Sequence, residues 1–329
     1  MKIKKYIGYQ CSICKKAYGP DEVTYTCPVD GGNLDVILDY TALKNLGTEG
    51  LIHSQEPSLW RYLPLLPVSD PGGRGTPLRA AGWTPLFSPT RMAQDLGLQY
   101  LWVKDESRNP TASFKDRASA ILVARAQEIR AEVIVTASTG NAGAALAGMC
   151  AAVGHKSVIF APKTAPPAKI AQLLVYGAKV LLVDGNYDAA FDLSIAASQE
   201  FGWYCRNTGF NPFTVEGKKT AAFEIWEALY LNKTEDSQAA KMMASGLPLN
   251  IFVSVGDGNI ISGIHKGFKD LQVLGLIESV PHIFGIQSDQ SAAIANAFNA
   301  GTEEILPVKA TTRADSISVD MPRDGLRAL

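Results

Sequence analysis

The stretch Ala131-Glu132-Val133-Ile134-Val135-Thr136, continuing as Ala137-Ser138-Thr139-Gly140-Asn141-Ala142-Gly143, decides the fold. Its β-branched run reads as a buried strand, its glycine-bearing middle as a turn, and the small residues up to Val153 as a helix. Working outward, the same rhythm recurs. Strands are expected at 133–136, 157–161, 179–183 and 203–206, alternating with helices at 141–153, 168–176 and 187–201. Such alternation implies right-handed βαβ units on a parallel sheet.

A second strand-turn-helix lies downstream. Asn250-Ile251-Phe252-Val253-Ser254-Val255 runs into Gly256-Asp257-Gly258-Asn259 and a helix opening near Ile260, and a further strand is expected at 282–287. Both turns leave backbone N–H groups free at a helix N-terminus, where anions bind. Upstream, Asn109-Pro110-Thr111-Ala112-Ser113-Phe114-Lys115-Asp116-Arg117 sets a lysine at a loop–helix junction, reached from a strand at 100–104. The residue before proline avoids the α region, and Ser113 is a suitable N-cap. One amine and two anion-accepting turns together suit a cofactor with an aldehyde and a phosphate, working on a carboxylate-bearing substrate. Pyridoxal phosphate answers that description.

These three stretches resemble the signature segments of the threonine synthases, which are fold-type-II pyridoxal-phosphate enzymes. Ser58-Leu59-Trp60-Arg61-Tyr62, Gly82-Trp83-Thr84-Pro85-Leu86 and residues 215–220 match as well, so the resemblance spans nearly the whole chain. It implies an α/β architecture of two lobes, each a mostly parallel sheet flanked by helices. Residues 41–110 and 208–329 would form the larger lobe and 111–207 a nested smaller one, with a zinc-ribbon-like piece at 1–40.

By the same resemblance Lys115 would bond the cofactor aldehyde, with Phe114 beside the ring or in the core. Asn141 would donate to the ring's phenolate oxygen. Gly256, Asp257, Gly258, Asn259 and Ile260 would hold the phosphate. Backbone N–H groups of Ser138, Thr139 and Gly140 would take the substrate carboxylate, and Thr84 would either approach the substrate or cap a turn. The activity implied is conversion of O-phosphohomoserine and water to threonine and phosphate. Related β-replacement or elimination chemistry, of the cysteate synthase or diaminopropionate ammonia-lyase kind, is the alternative.

The chain departs from the family pattern in four places. Asn211-Pro212 is followed by Phe213-Thr214, where an arginine usually helps to hold the substrate phosphate. Ala112 stands where the lysine loop usually has glycine. Asp257 sets a carboxylate beside a phosphate, so its side chain is expected to turn away. Threonine synthases also carry a further segment past the equivalent of Leu329, with the side chain that faces the pyridine nitrogen, and the chain is expected to be short of it.

Composition narrows the remaining classes. A net charge of −1 with no basic block argues against nucleic acid as a partner. The longest apolar run, 144–153, is about half a membrane span, and no apolar stretch follows the basic N-terminus. A cytoplasmic homodimer acting on a small amino acid is expected.

Of the cysteines, Cys150 and Cys205 read as core. Cys11, Cys14 and Cys27, with Asp30, have the spacing of a zinc ribbon whose fourth ligand is a carboxylate. Because structural zinc prefers thiolate and imidazole, the pattern admits the ion but favours a ribbon that kept its turns without it. His53 lies too far along to serve. A nucleotide-binding α/β protein lacks support, with no G-x-G-x-x-G and no acidic residue at the right distance. A catalytically inert paralogue is a third reading. No G-x-S-x-G motif supports a serine hydrolase.

Overall fold

The computed structural model describes residues 6–231 and 237–329. Four strands form the parallel sheet anticipated from the alternation: β6 (Val133–Ala137), β7 (Lys156–Pro162), β8 (Lys179–Val183) and β9 (Tyr204–Cys205), in the order β8-β7-β6-β9. Helices Asn141–Ala152, Pro167–Val175 and Tyr187–Phe201 make the crossovers. From β6 the chain moves one way to β7 and β8, then returns past β6 to lay β9 on its other side. That reversal places a crevice beyond the carboxyl ends of β6 and β9, the position where open α/β sheets bind ligands. A second parallel pair joins β10 (Asn250–Ser254) to β11 (His282–Ile286).

The expected strand at 100–104 is shorter. Only Val103–Lys104 (β5) pairs, antiparallel to Leu86–Phe87 (β4). Its partner ends early because Pro89 precedes the helix Thr90–Asp95, and Tyr100 instead stacks on Trp102 at 6.1 Å.

The helix Lys115–Glu128 is buried along most of its length and packs against helices Phe213–Lys218 and Asn141–Ala152. A Cβ on Gly217 would lie 2.2 Å from the Arg117 carbonyl oxygen, so this crossing admits only glycine. Beneath the helix start lies a charged core. The Arg117 guanidinium binds Glu106 and Glu224, and Lys104 reaches Glu224 at 2.6 Å. The N-terminal piece is a three-stranded antiparallel sheet, β2-β1-β3, from Tyr6–Cys11 (β1), Ala17–Tyr18 (β2) and Leu34–Leu38 (β3). No helix among the described residues is long and apolar enough to cross a membrane.

Candidate active site

The crevice opens into a cavity of about 790 Å³, and the lysine loop, both glycine-bearing turns and residues 314–321 all reach it. The lysine loop is pinned by its own polar groups. The Asp116 carboxylate accepts from the Thr111 N–H at 2.7 Å and its hydroxyl at 2.6 Å, and Asn109 Oδ1 accepts from the Gly82 N–H at 2.9 Å. Ala112 bends the loop at φ 57°, a left-handed conformation in which an L side chain is strained. Ser113 accepts from the Lys115 N–H at 3.3 Å, but the capping position itself falls to Phe114.

Lys115 therefore begins the helix with its amine in the cavity and no carboxylate bonded to it among the described residues. Burial first, and then the Arg206 charge, push its pKa below the usual lysine value, while Asp257 opposes them. A lowered pKa leaves more of the amine neutral and able to attack an aldehyde carbon.

The turn after β6 supplies fewer free donors than expected. The Ser138 N–H donates to the Phe160 carbonyl at 3.2 Å, extending the sheet, and the Gly140 N–H donates to Ser138 Oγ at 3.2 Å. Among the described residues no side chain caps the helix that follows, so the N–H groups of its first turn, beginning at Asn141, stay open beside Thr139. Asn141 Nδ2 reaches Ser316 Oγ at 3.4 Å.

The turn after β10 is a helix N-terminus without a side-chain cap, the start of the helix Asn259–Val273. Gly258 sits at φ 92°, and a Cβ there would lie 2.7 Å from the Asp324 carbonyl oxygen. Open N–H groups and the positive end of a long helix make this turn an anion cradle. Asp257 Oδ1 accepts from the Arg323 N–H at 3.3 Å, which draws the carboxylate toward residues 322–324. It nonetheless remains on the cavity wall, where burial raises its pKa.

Two cations that sequence reading did not assign to the site complete it. Arg206 follows β9 at the crevice, its N–H tied to the Val135 carbonyl at 2.7 Å. It is fully buried. Nη1 donates to Thr208 Oγ1 at 2.7 Å, while Nε and Nη2 have no partner among the described residues. Burial lowers its pKa to about 10. Lys218, also buried, donates to Asn259 Oδ1 at 2.6 Å, and Asn259 Nδ2 donates to Asp324 at 2.7 Å. Burial pushes the Lys218 pKa well below its ordinary value.

Thr84, expected near the substrate or as a turn cap, and Phe114, expected beside the ring or in the core, both lie off the cavity wall. Thr84 donates to Glu106 at 2.7 Å and accepts from Arg117 at 3.1 Å within the buried charged network, off the cavity wall. Phe114 lies with its ring 5.6 Å from the Arg117 guanidinium and is also absent from that wall.

These residues fit pyridoxal phosphate on three counts. An amine of lowered pKa stands in the cavity, a glycine turn that would reject a Cβ presents open N–H groups, and a buried guanidinium keeps two nitrogens without a partner among the described residues.

Comparison with known proteins agrees. Residues 78–329 match the family described as pyridoxal-phosphate dependent enzyme. The threonine synthase of Methanocaldococcus jannaschii is 38% identical over 322 residues, covering 97% of this chain and 75% of that protein. The threonine synthase of Methanosarcina acetivorans is 36% identical over 97% of this chain and 74% of its own length. Among solved structures, the processed form of threonine deaminase isoform 2 from Solanum lycopersicum superposes with a TM-score of 0.59 at 21% identity, over 75% of this chain and 62% of that one. Maize serine racemase gives 0.59 at 24%, over 75% and 69%. At these identities the structural likeness speaks for the fold. With the family match and the two threonine synthase relatives in agreement, the chain belongs to the pyridoxal-phosphate dependent enzyme family, with the fold-type-II architecture.

Proposed function

We propose that this chain is a threonine synthase, converting O-phosphohomoserine and water to threonine and phosphate. The observation that carries the reading is the surplus of cations. Lys115, Arg206 and Lys218 share one cavity with a glycine cradle, and the acidic side chains on its wall other than Asp257 are exposed to solvent. One phosphate monoester does not need all three. Lys218, held by Asn259 at the first residue of the cradle helix, belongs with the cofactor phosphate. Arg206, at the sheet's reversal with two free nitrogens, is left for a phosphate on the substrate. It takes the place of the arginine missing after Asn211-Pro212.

Bound in this cavity, the cofactor supplies an electron sink that makes the substrate's Cα–H acidic. Lys115 Nζ, kept poor in protons by burial and by Arg206, accepts that proton and can return one later. The N–H groups of Thr139 and of the first turn from Asn141 would orient the substrate carboxylate, and Asn141 Nδ2 would turn from Ser316 to donate to the cofactor's ring oxygen. Arg206 neutralises the departing phosphate. Residues 314–321 line one side of the site.

A cytoplasmic homodimer belongs to this reading. The unpaired thiols support the compartment, and sedimentation of the purified enzyme tests the assembly. The direct test has two arms. Borohydride reduction with the cofactor should leave a pyridoxyl adduct on the peptide holding Lys115. Phosphate release should be faster from O-phosphohomoserine than from O-phosphoserine. An adduct elsewhere overturns the site. Preference for O-phosphoserine overturns the substrate and favours chemistry with the leaving group on Cβ.

A further inference from the structure

The N-terminal module holds a cluster that the reaction does not use. β1 ends at Cys11, and the turn after it carries Cys14. The opposite turn, closed by the Cys27 N–H to the Gly32 carbonyl and the Gly31 N–H to the Cys27 carbonyl, each at 2.9 Å, carries Cys27 and Asp30. The two turns are laced together by the Ser12 N–H to the Asn33 carbonyl at 2.9 Å. One donor atom from each of Cys11, Cys14, Cys27 and Asp30 lies within 4.8 Å of every other.

The spacings are those of ligands around one ion rather than of packed thiols. Cys14 Sγ and Cys27 Sγ are 3.7 Å apart, and Cys11 Sγ lies 3.3 Å from Asp30 Oδ1. Four ligands about 2.3 Å from a tetrahedral centre stand roughly 3.7 Å from one another, slightly less where one is oxygen. A disulfide would bring its sulfurs to about 2.05 Å, and none is present among the described cysteines.

The surroundings suit thiolates. The Ile13 N–H donates to Cys11 Sγ at 3.3 Å, Tyr18 Oη lies 3.0 Å from Cys27 Sγ, and the Gly32 N–H fixes Asp30 Oδ1 at 2.8 Å. A Cβ on Gly32 would fall 2.8 Å from Cys11 Sγ and 2.9 Å from Asp30 Oδ1, so the chain leaves that space to the cluster. Lys15 and Lys16 follow directly and offset its negative charge.

We propose that Cys11, Cys14, Cys27 and Asp30 form a structural zinc site of three thiolates and one carboxylate. The expectation from spacing alone, a ribbon that had lost its metal, weighed the unusual fourth ligand. Convergence of all four donor atoms outweighs it. All protein positions are filled, which makes the site structural rather than catalytic, and binding releases the thiol protons. The module also backs the active site. Tyr25 stacks on Phe210 at 4.5 Å, and its hydroxyl accepts from the Cys205 N–H at 2.9 Å, one residue before Arg206. The ion would thereby hold the face on which β9 rests.

The test begins with metal analysis of the purified holoenzyme, where one zinc per chain is expected. Growth with cobalt should give visible ligand-field bands, to the red of cofactor absorption, with the intensity of a tetrahedral sulfur-rich site. Cys14→Ser and Asp30→Asn should each lower retained zinc at least tenfold under a competing chelator, while Cys150→Ser, a buried thiol outside the cluster, should retain it. Should a ligand variant fail to fold, the cobalt spectrum of the parent protein still decides. Iron in place of zinc, no metal together with a Cys14–Cys27 disulfide, an octahedral cobalt spectrum, or full zinc retention in both ligand variants would overturn the proposal.

Discussion

Replacing Arg206 with methionine separates the roles of binding and folding, because the two should move in opposite directions. In the free protein this guanidinium is fully buried, makes one hydrogen bond to Thr208, and leaves Nε and Nη2 without a partner among the described residues. A buried charge without compensation is destabilising, and an apolar side chain of similar length should raise cofactor-free stability by about 1–3 kcal/mol. With substrate present, the two free nitrogens would engage the phosphate as a charge-assisted pair. Losing that pair should remove about 3–4 kcal/mol of transition-state binding, or roughly 10²–10³ in kcat/KM.

Arg206 is also the second cause, after burial, of the depressed Lys115 pKa. The pH at which Lys115 bonds the aldehyde should therefore move upward in the variant. The assays are phosphate release at low substrate concentration, denaturant unfolding without cofactor, and a spectroscopic pH titration with it. Binding of unphosphorylated homoserine serves as the control. If homoserine binding falls as much as phosphohomoserine turnover, or the cofactor-free variant is less stable, the assignment of Arg206 to the substrate phosphate is refuted.

Three further predictions rest on other parts of the structure. Ala112→Gly should relieve a left-handed alanine at φ 57°, and the denaturant midpoint should rise by the equivalent of about 0.5–1 kcal/mol. Glu224→Ala should lower stability by about 3–5 kcal/mol, because it removes the carboxylate of Lys104 and leaves Arg117 with Glu106 alone in a buried setting, as denaturant unfolding would measure. Lys218 binds its proton less readily folded than unfolded, so the unfolded chain holds the extra proton between the depressed pKa and the ordinary value near 10.5. Stability of the cofactor-free protein should rise with pH across that window, and Lys218→Met should flatten the rise in melting curves taken at several pH values.

Local pattern carried much of this protein, and its limits have physical causes. The β-branched runs and their turns located β6, β7, β8 and β10; in β6 and β7 burial on both faces of a parallel sheet writes itself as continuous apolar sequence, while β8 and β10 carry the same kind of run with much of it exposed. Lys115 was legible from the company of Asn109, Asp116 and Arg117, which the structure shows fastening its loop. Arg206 and Lys218 were not. Nothing in Arg206-Asn207-Thr208 or Glu216-Gly217-Lys218 signals a buried cation, since burial there comes from β9 crossing to the far side of β6 and from helices meeting at Gly217. Thr84, expected either to approach the substrate or to cap a turn, completes the hydrogen bonding of Arg117, a partner 33 residues away that its Thr-Pro-Leu context does not announce. The donors of Ser138 and Gly140 were overcounted because a neighbouring carbonyl and a side-chain oxygen had already claimed them.

The wall formed by residues 314–321 has only one short turn of helix, Asp315–Ile317; buried Ser291 holds its middle through Ile317 and Val319, and ion pairs hold its edges. Lys169 grips Asp315 at 2.6 Å, and nearby Arg323 grips Asp188. Both pairs join this stretch to helices of the four-stranded sheet, so the entrance is fastened by two electrostatic clasps in contact with solvent. Such clasps loosen in salt without disturbing an apolar core. Passage of substrate and product should therefore quicken as ionic strength rises, while the proton transfers at Lys115 keep their pace until the loosened wall admits bulk water.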